Sequence, residues 1–237
     1  MKRLLLLLLL AAFAAPARAD EGWVPLFNGK DLTGWKVHPQ ANGAFADIVT
    51  VEKDGKVTGF DAKLKKDGST VHLWRVEDGV LIGSGPASHL FSERDDYTDF
   101  EYRVEAMIND HGNSGQYFRT QFKGGFPPGY EAQIDATHAD PIRTGSLYPG
   151  GPLAKYKKDK DVLSKITVMN EAPHKPDEWF TQEVTAKGNH ITIKVNGKVT
   201  VDWTDPDNTY TKGHFALQGH DPGTVVKFRK IEMKELK

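Results

Sequence analysis

Ile191-Thr192-Ile193-Lys194-Val195-Asn196-Gly197-Lys198-Val199-Thr200-Val201 decides the fold class. Ile191, Ile193 and Val195 alternate with polar residues, and Val199 and Val201 resume the alternation after Asn196-Gly197. Asn-Gly between two alternating runs is a strong hairpin signal, because both turn residues must take positive φ. The same period of two runs through Phe100, Tyr102, Val104, Ala106 and Ile108, set against Glu101, Arg103, Glu105 and Met107. That is a long half-buried strand.

Outward from these, Val80-Leu81-Ile82 follows the turn Asp78-Gly79. Gly115 to Arg119, Tyr130 to Asp135, Trp179 to Thr185 and Phe215 to Gln218 each have the length of a sheet-spanning strand. Val225 to Phe228 and Ile231 to Met233 close the series. Residues 36–72 read as loops with short strands, and 139–163, rich in Pro, Gly, Lys and Asp, as long surface loops. No helical periodicity of useful length follows the first residues. The expectation is an all-β domain, a sandwich of two antiparallel sheets.

Residues 1–19 read as a signal peptide. Lys2 and Arg3 precede the apolar run Leu4 to Ala15, and Ala17-Arg18-Ala19 has the small-x-small pattern of a cleavage site. The run is short for a membrane span, so the domain is expected to occupy 20–237, secreted or periplasmic, with no membrane insertion after cleavage. The whole chain carries 31 Lys and Arg against 32 Asp and Glu; losing Lys2, Arg3 and Arg18 leaves a formal charge of about −4. No basic stripe serves a nucleic acid. The chain has no cysteine, which excludes a thiol nucleophile.

Three strands carry polar rows. In Tyr130 to Asp135, alternation puts Glu131, Gln133 and Asp135 on one face and Tyr130, Ala132 and Ile134 on the other. Tyr117 and Arg119 share a face after the turn Gly112-Asn113-Ser114-Gly115, and His214, Ala216, Gln218 and His220 oppose Phe215 and Leu217. If these strands are neighbours, Arg119, Tyr117, Glu131, Gln133, Gln218 and His220 converge on one surface. Carboxylate, amide, aromatic and guanidinium groups are what sugar hydroxyls and ring faces need. Glu131 and Asp135 stand four positions apart, roughly 13 Å along a strand. A two-carboxylate glycosidase needs about 5–9.5 Å, so that mechanism requires a loop acid such as Asp140 or Asp110. No cofactor is certain; a divalent metal could draw on His111, Asp135 and His138.

Six blocks in order then carry a resemblance: Gly22-Trp23-Val24-Pro25-Leu26-Phe27-Asn28-Gly29 through Trp35, Trp74 to Gly79, Asp99-Phe100-Glu101 with Gly112 to Arg119, Gly129 to Ile134 with Thr144 to Tyr148, Gly213 to Gln218, and Val226 to Ile231. Together they resemble the 3-keto-disaccharide hydrolase domain family over almost the whole mature chain, departing at Gln116, where an apolar residue is common. The resemblance implies a concanavalin-like jelly roll and a hydrolase or lyase acting on 3-keto-glycosidic bonds. A C3 ketone acidifies the C2 proton, and loss of that proton lets the C1 substituent leave by β-elimination, with hydration to follow. On that reading Glu131 or His220 is the base and Arg119 the enolate stabiliser. Tyr117, Gln133, Gln218 and Asn113 hold the sugar. A non-catalytic carbohydrate-binding module and a structural exported protein are the alternatives, since fold does not decide function.

Overall fold

The computed structural model describes residues 21–39 and 44–237; the expected leader, 1–19, lies outside the described residues. The strands in chain order are β1 (Val24–Pro25), β2 (Trp35–Pro39), β3 (Phe45–Lys53), β4 (Lys56–Leu64), β5 (Thr70–Glu77), β6 (Val80–Gly83) and β7 (Ser88–Ser92). Then come β8 (Phe100–Ile108), β9 (Asn113–Thr120), β10 (Tyr130–Asp135), a 3₁₀ segment (Gly151–Lys158) and the short helix α1 (Lys160–Ile166). β11 (Phe180–Lys187), β12 (His190–Val195), β13 (Lys198–Thr204), β14 (His214–Gly219) and β15 (Val226–Glu235) complete the chain.

They form two antiparallel sheets. The larger runs β13-β12-β11-β8-β15-β6-β5-β4-β3, with β1 on β15; the smaller runs β10-β9-β14-β7-β2. Hairpins supply much of this order. Asp54-Gly55, Asp78-Gly79 and Asn196-Gly197 all have both residues at positive φ, and each joins paired strands through a two-residue turn. β8 lies centrally, between β11 and β15, and buries its whole apolar row. Tyr102 stacks on Phe215 of the smaller sheet at 4.0 Å and Phe100 meets the same ring edge-on at 4.7 Å. Each such buried side chain contributes about 1.5–3 kcal/mol.

Gln116 lies inside this core, not on the outer face. Its amide donates to the Tyr102 carbonyl at 3.1 Å and accepts from Gln182 at 3.2 Å, while Gln182 accepts from the Gly145 N–H at 2.9 Å. A polar residue is tolerated there because its partner on the opposite sheet completes the pairing.

Two expectations are corrected. Residues 36–72 hold long strands, not loops: β3 and β4 have nine residues each. They sit at the sheet's end with many exposed positions, so their apolar alternation is weak. Within 139–163 a 3₁₀ segment and the start of α1 appear. Asp159 caps α1 by accepting from the Asp161 and Val162 N–H groups.

Candidate functional site

In the smaller sheet Phe118, Tyr130, Ala132, Ile134, Phe215, Leu217 and Leu90 join the main core. Alternation therefore sends Asn113, Gly115, Tyr117, Glu131, Gln133, Asp135, Gln218 and His89 to the other face, where Phe91, Tyr117 and Ala216 make a separate apolar cluster. Register sets the rows: Glu131 opposite Tyr117 and Tyr117 opposite Ala216, Gln133 opposite Gly115, Asp135 opposite Asn113, Gln218 opposite His89. Tyr117, Glu131, Gln133 and Gln218 thus share one face, as the strand patterns indicated; Asn113, expected in a turn, opens β9 and joins them.

Glu131 is only 3% exposed. It leans over Gly115, where a Cβ would lie 2.3 Å from Glu131 Oε1, so the glycine makes the space the carboxyl occupies. Burial, with the charge of Asp140 adding, pushes the Glu131 carboxyl up to about 8 despite a hydrogen bond with Tyr117 that works the other way. Tyr117 in turn accepts from Gln218 Nε2 at 3.2 Å. With its amide oriented to suit its neighbours, Gln133 donates to Glu131 Oε1 at 3.2 Å and to the Ser114 carbonyl at 3.1 Å. Near neutral pH this carboxyl holds its proton, which makes it an acid rather than a base.

Past the end of β14, His220 Nδ1 pairs with Asp221 Oδ2 at 2.8 Å. Asp221 also accepts from the Gly223 N–H at 2.7 Å and Thr224 Oγ1 at 3.0 Å. Burial would raise its carboxyl, but these hydrogen bonds hold it below the usual range. An aspartate that fixes the Nδ1–H tautomer leaves His220 Nε2 free to take a proton. The His138 ring lies 5.5 Å from that of His220. Its Nδ1 accepts from the Asp140 N–H at 3.2 Å, so Nε2 carries the hydrogen and can donate. Asp140 is held by the Tyr148 hydroxyl at 2.8 Å.

Arg119 does not join this face. A bulge between β9 and β14 puts it at φ 49°. Its guanidinium donates instead to the Thr98, Gly188 and Tyr210 carbonyls and to Asp99. Period-two counting fails there because a bulge adds an unpaired residue. The three metal candidates are not brought together either. His111 sits on an exposed turn with its N–H on Thr137, and Asp135 Oδ1 accepts from the His138 N–H at 2.9 Å and Arg143 at 3.1 Å. Among the described residues His138, His220 and Asp221 have ligand atoms within 4.8 Å of one another. A cation there would take His220 through Nε2, with the Nδ1–Asp221 bond orienting the ring, and His138 through whichever ring nitrogen is left unprotonated.

Sequence reasoning missed His89, Asp221, the role of Gly115 and the ring pair Phe126 and Tyr148 at the rim, 6.2 Å apart. Asp221 begins an Asp-Pro-Gly turn, a readable signal for an aspartate that accepts from the chain two residues on.

A candidate glycosyl hydrolase from Parabacteroides distasonis is similar in structure, with a TM-score of 0.62 at 22% identity over 92% of this chain and 95% of that one. A second from the same organism gives 0.59 at 20%, over 90% and 99%. The carbohydrate recognition domain of Emp47p gives 0.50 at 11%, over 92% and 96%. No curated protein matches the sequence. The fold is a concanavalin-like sandwich, one shared by glycosidase-like and carbohydrate-binding domains. The family described as the 3-keto-alpha-glucoside-1,2-lyase-like domain matches residues 22–234, and the chain belongs to that family.

Proposed function

We propose that the protein is an exported enzyme that cleaves 3-keto-glycosides by β-elimination followed by hydration. The observation that carries this is the presence, in the smaller sheet, of a carboxyl that keeps its proton near neutral pH and, just past the end of β14, of an imidazole aimed by a carboxylate. His220 Nε2 removes the proton from C2, and the electron pair moves toward the C3 oxygen, where His138 Nε2–H donates. The pair then returns to form the C1–C2 double bond as the C1–O bond breaks. The leaving oxygen takes the Glu131 proton. Water adds across the resulting enone, its hydroxide going to C1 and its proton to C2, to give the free 3-keto sugar. Tyr117, Gln133 and Gln218 hold the ring, with Phe126 and Tyr148 as stacking surfaces at the rim.

The test is turnover of a 3-keto-glucoside in deuterated water beside its unoxidised parent. Elimination puts solvent deuterium at C2 of the product and leaves the parent sugar intact. A product that keeps its C2 proton refutes the mechanism. One observation favours a second reading, direct hydrolysis with Asp140 as partner to Glu131: the Asp140 charge reaches Glu131. Cleavage of the unoxidised glycoside would establish it, and sugar binding without cleavage of either substrate would establish a binding module. Export rests on the leader pattern and is tested by fractionating expressing cells for a chain beginning near Asp20.

A further inference from the structure

The smaller sheet holds a second polar feature that the proton-transfer steps leave unused. His89 on β7 stands directly opposite Gln218 on β14. They are 3% and 7% exposed. Both ring nitrogens of His89 and the Gln218 Oε1 are buried with no hydrogen-bond partner among the described residues. Buried polar groups are normally paired, and each one left unpaired costs about 1–3 kcal/mol. Three on two facing residues are therefore a costly arrangement unless something else completes them.

Their orientation is fixed by neighbours. Gln218 spends its amide nitrogen on the Tyr117 hydroxyl at 3.2 Å, which turns Oε1 away from that ring. His89 meets Tyr117 edge-on at 5.0 Å and Phe91 at 5.9 Å, packing that holds the imidazole without using its nitrogens. Burial, with the nearby imidazoles of His38 and His220 adding, drives the His89 imidazole down to about 3, so it stays neutral, with one N–H and one lone pair.

We infer that His89 and Gln218 form a socket for a single sugar hydroxyl, which accepts from the His89 N–H and donates to Gln218 Oε1. A hydroxyl can do both; a ketone oxygen can only accept. The socket therefore reads a ring hydroxyl that the oxidation at C3 has left in place. This rests on the sugar-handling reading above and adds the source of its specificity. The Gln121–Gly129 loop packs beside the socket, with Phe122 on Phe91 at 5.1 Å and Phe126 on Tyr117 at 5.8 Å.

The experiment compares methyl 3-keto-glucoside with its 2-, 4- and 6-deoxy forms, by kcat/KM and by calorimetric affinity, and repeats the affinities with the unoxidised methyl glucosides. One deoxy sugar should lose at least about 10²-fold, because sites built to bond a hydroxyl reject its absence strongly. His89→Phe, which keeps the ring packing, should shrink that loss to about fivefold or less. Gln218→Met supplies the same comparison if His89→Phe does not fold. Deoxy sugars that all stay within about fivefold of the parent, or a full penalty persisting in both variants, overturn the socket. A coupled loss in affinity without turnover keeps the socket and removes the reaction. Turnover with no single-hydroxyl penalty removes the socket alone.

Discussion

Gly115→Ala tests whether the position of the Glu131 carboxyl matters to activity. A Cβ at residue 115 would lie 2.3 Å from Glu131 Oε1 and 2.9 Å from its Cδ and Cγ. Ordinary contact is about 3.5 Å, so the methyl overlaps the carboxyl by about 1 Å. Gly115 lies in a regular strand and not at positive φ, so the substitution acts through the clash and not through backbone strain. Overpacking of this kind costs about 1–3 kcal/mol, or about 2–12 °C in Tm for a domain of this size. Moving an acid by about 1 Å costs on the order of 10²-fold, about 2.7 kcal/mol of barrier. The assay is kcat/KM on a 3-keto-glucoside with Tm measured in parallel. The decisive comparison places Gly115→Ala in a Glu131→Ala background, where the clash is gone and the second substitution should cost less than about 0.5 kcal/mol. If Gly115→Ala keeps kcat/KM within about threefold of the parent, Glu131 does not work from the position the glycine creates.

The Glu131 proton sets a pH profile. Its folded value of about 8 lies above the ordinary 4.5, so kcat/KM should fall above roughly pH 8, and Glu131→Gln should abolish that limb at a cost of about 10²–10⁴-fold in rate. The native state binds this proton where the unfolded chain has lost it. The stability it contributes is thus full below pH 4.5 and declines through about pH 8, by at most about 1.4 kcal/mol per pH unit; Tm should decline less steeply across that window in Glu131→Gln. His220→Ala should lose about 10²–10⁴-fold and recover part of it with added imidazole, and activity should survive exhaustive chelation. Loss to a chelator with recovery on a divalent ion would instead place a cation on His138, His220 and Asp221. Arg119→Met should destabilise by about 3 kcal/mol or more, since it strips donors from three carbonyls and Asp99. Urea melts measure this, and the folded fraction should keep its kcat/KM within a few-fold; a large selective loss of rate would return Arg119 to the catalytic set.

What could be read from the sequence follows from which regularities are local. Hairpin turns announce themselves in two residues, and Asp78-Gly79 and Asn196-Gly197 turn as their composition requires; Asp54-Gly55 carries the same signal and was hidden only by the weak alternation around it. The polar faces of β9, β10 and β14 were legible because period two holds wherever a strand is regular, and these strands are neighbours. It fails at Arg119 because a bulge is decided by the partner strand, not by the residues that bulge. β7 escaped for a different reason. Ser88-His89-Leu90-Phe91-Ser92 is buried on both faces, so the alternation that marks a half-buried strand is missing. The proton-holding state of Glu131 could not be read at all, since it comes from burial among groups that only register and folding bring round it, with the Asp140 charge adding. The residues proposed to carry the chemistry follow regular patterns in the sequence. The residues set around them, Gly115, His89 and Asp221, are a missing side chain, a histidine in an unmarked strand and a turn aspartate. Each acquires its role from what lies across from it or folds back onto it, and no one-dimensional pattern records that.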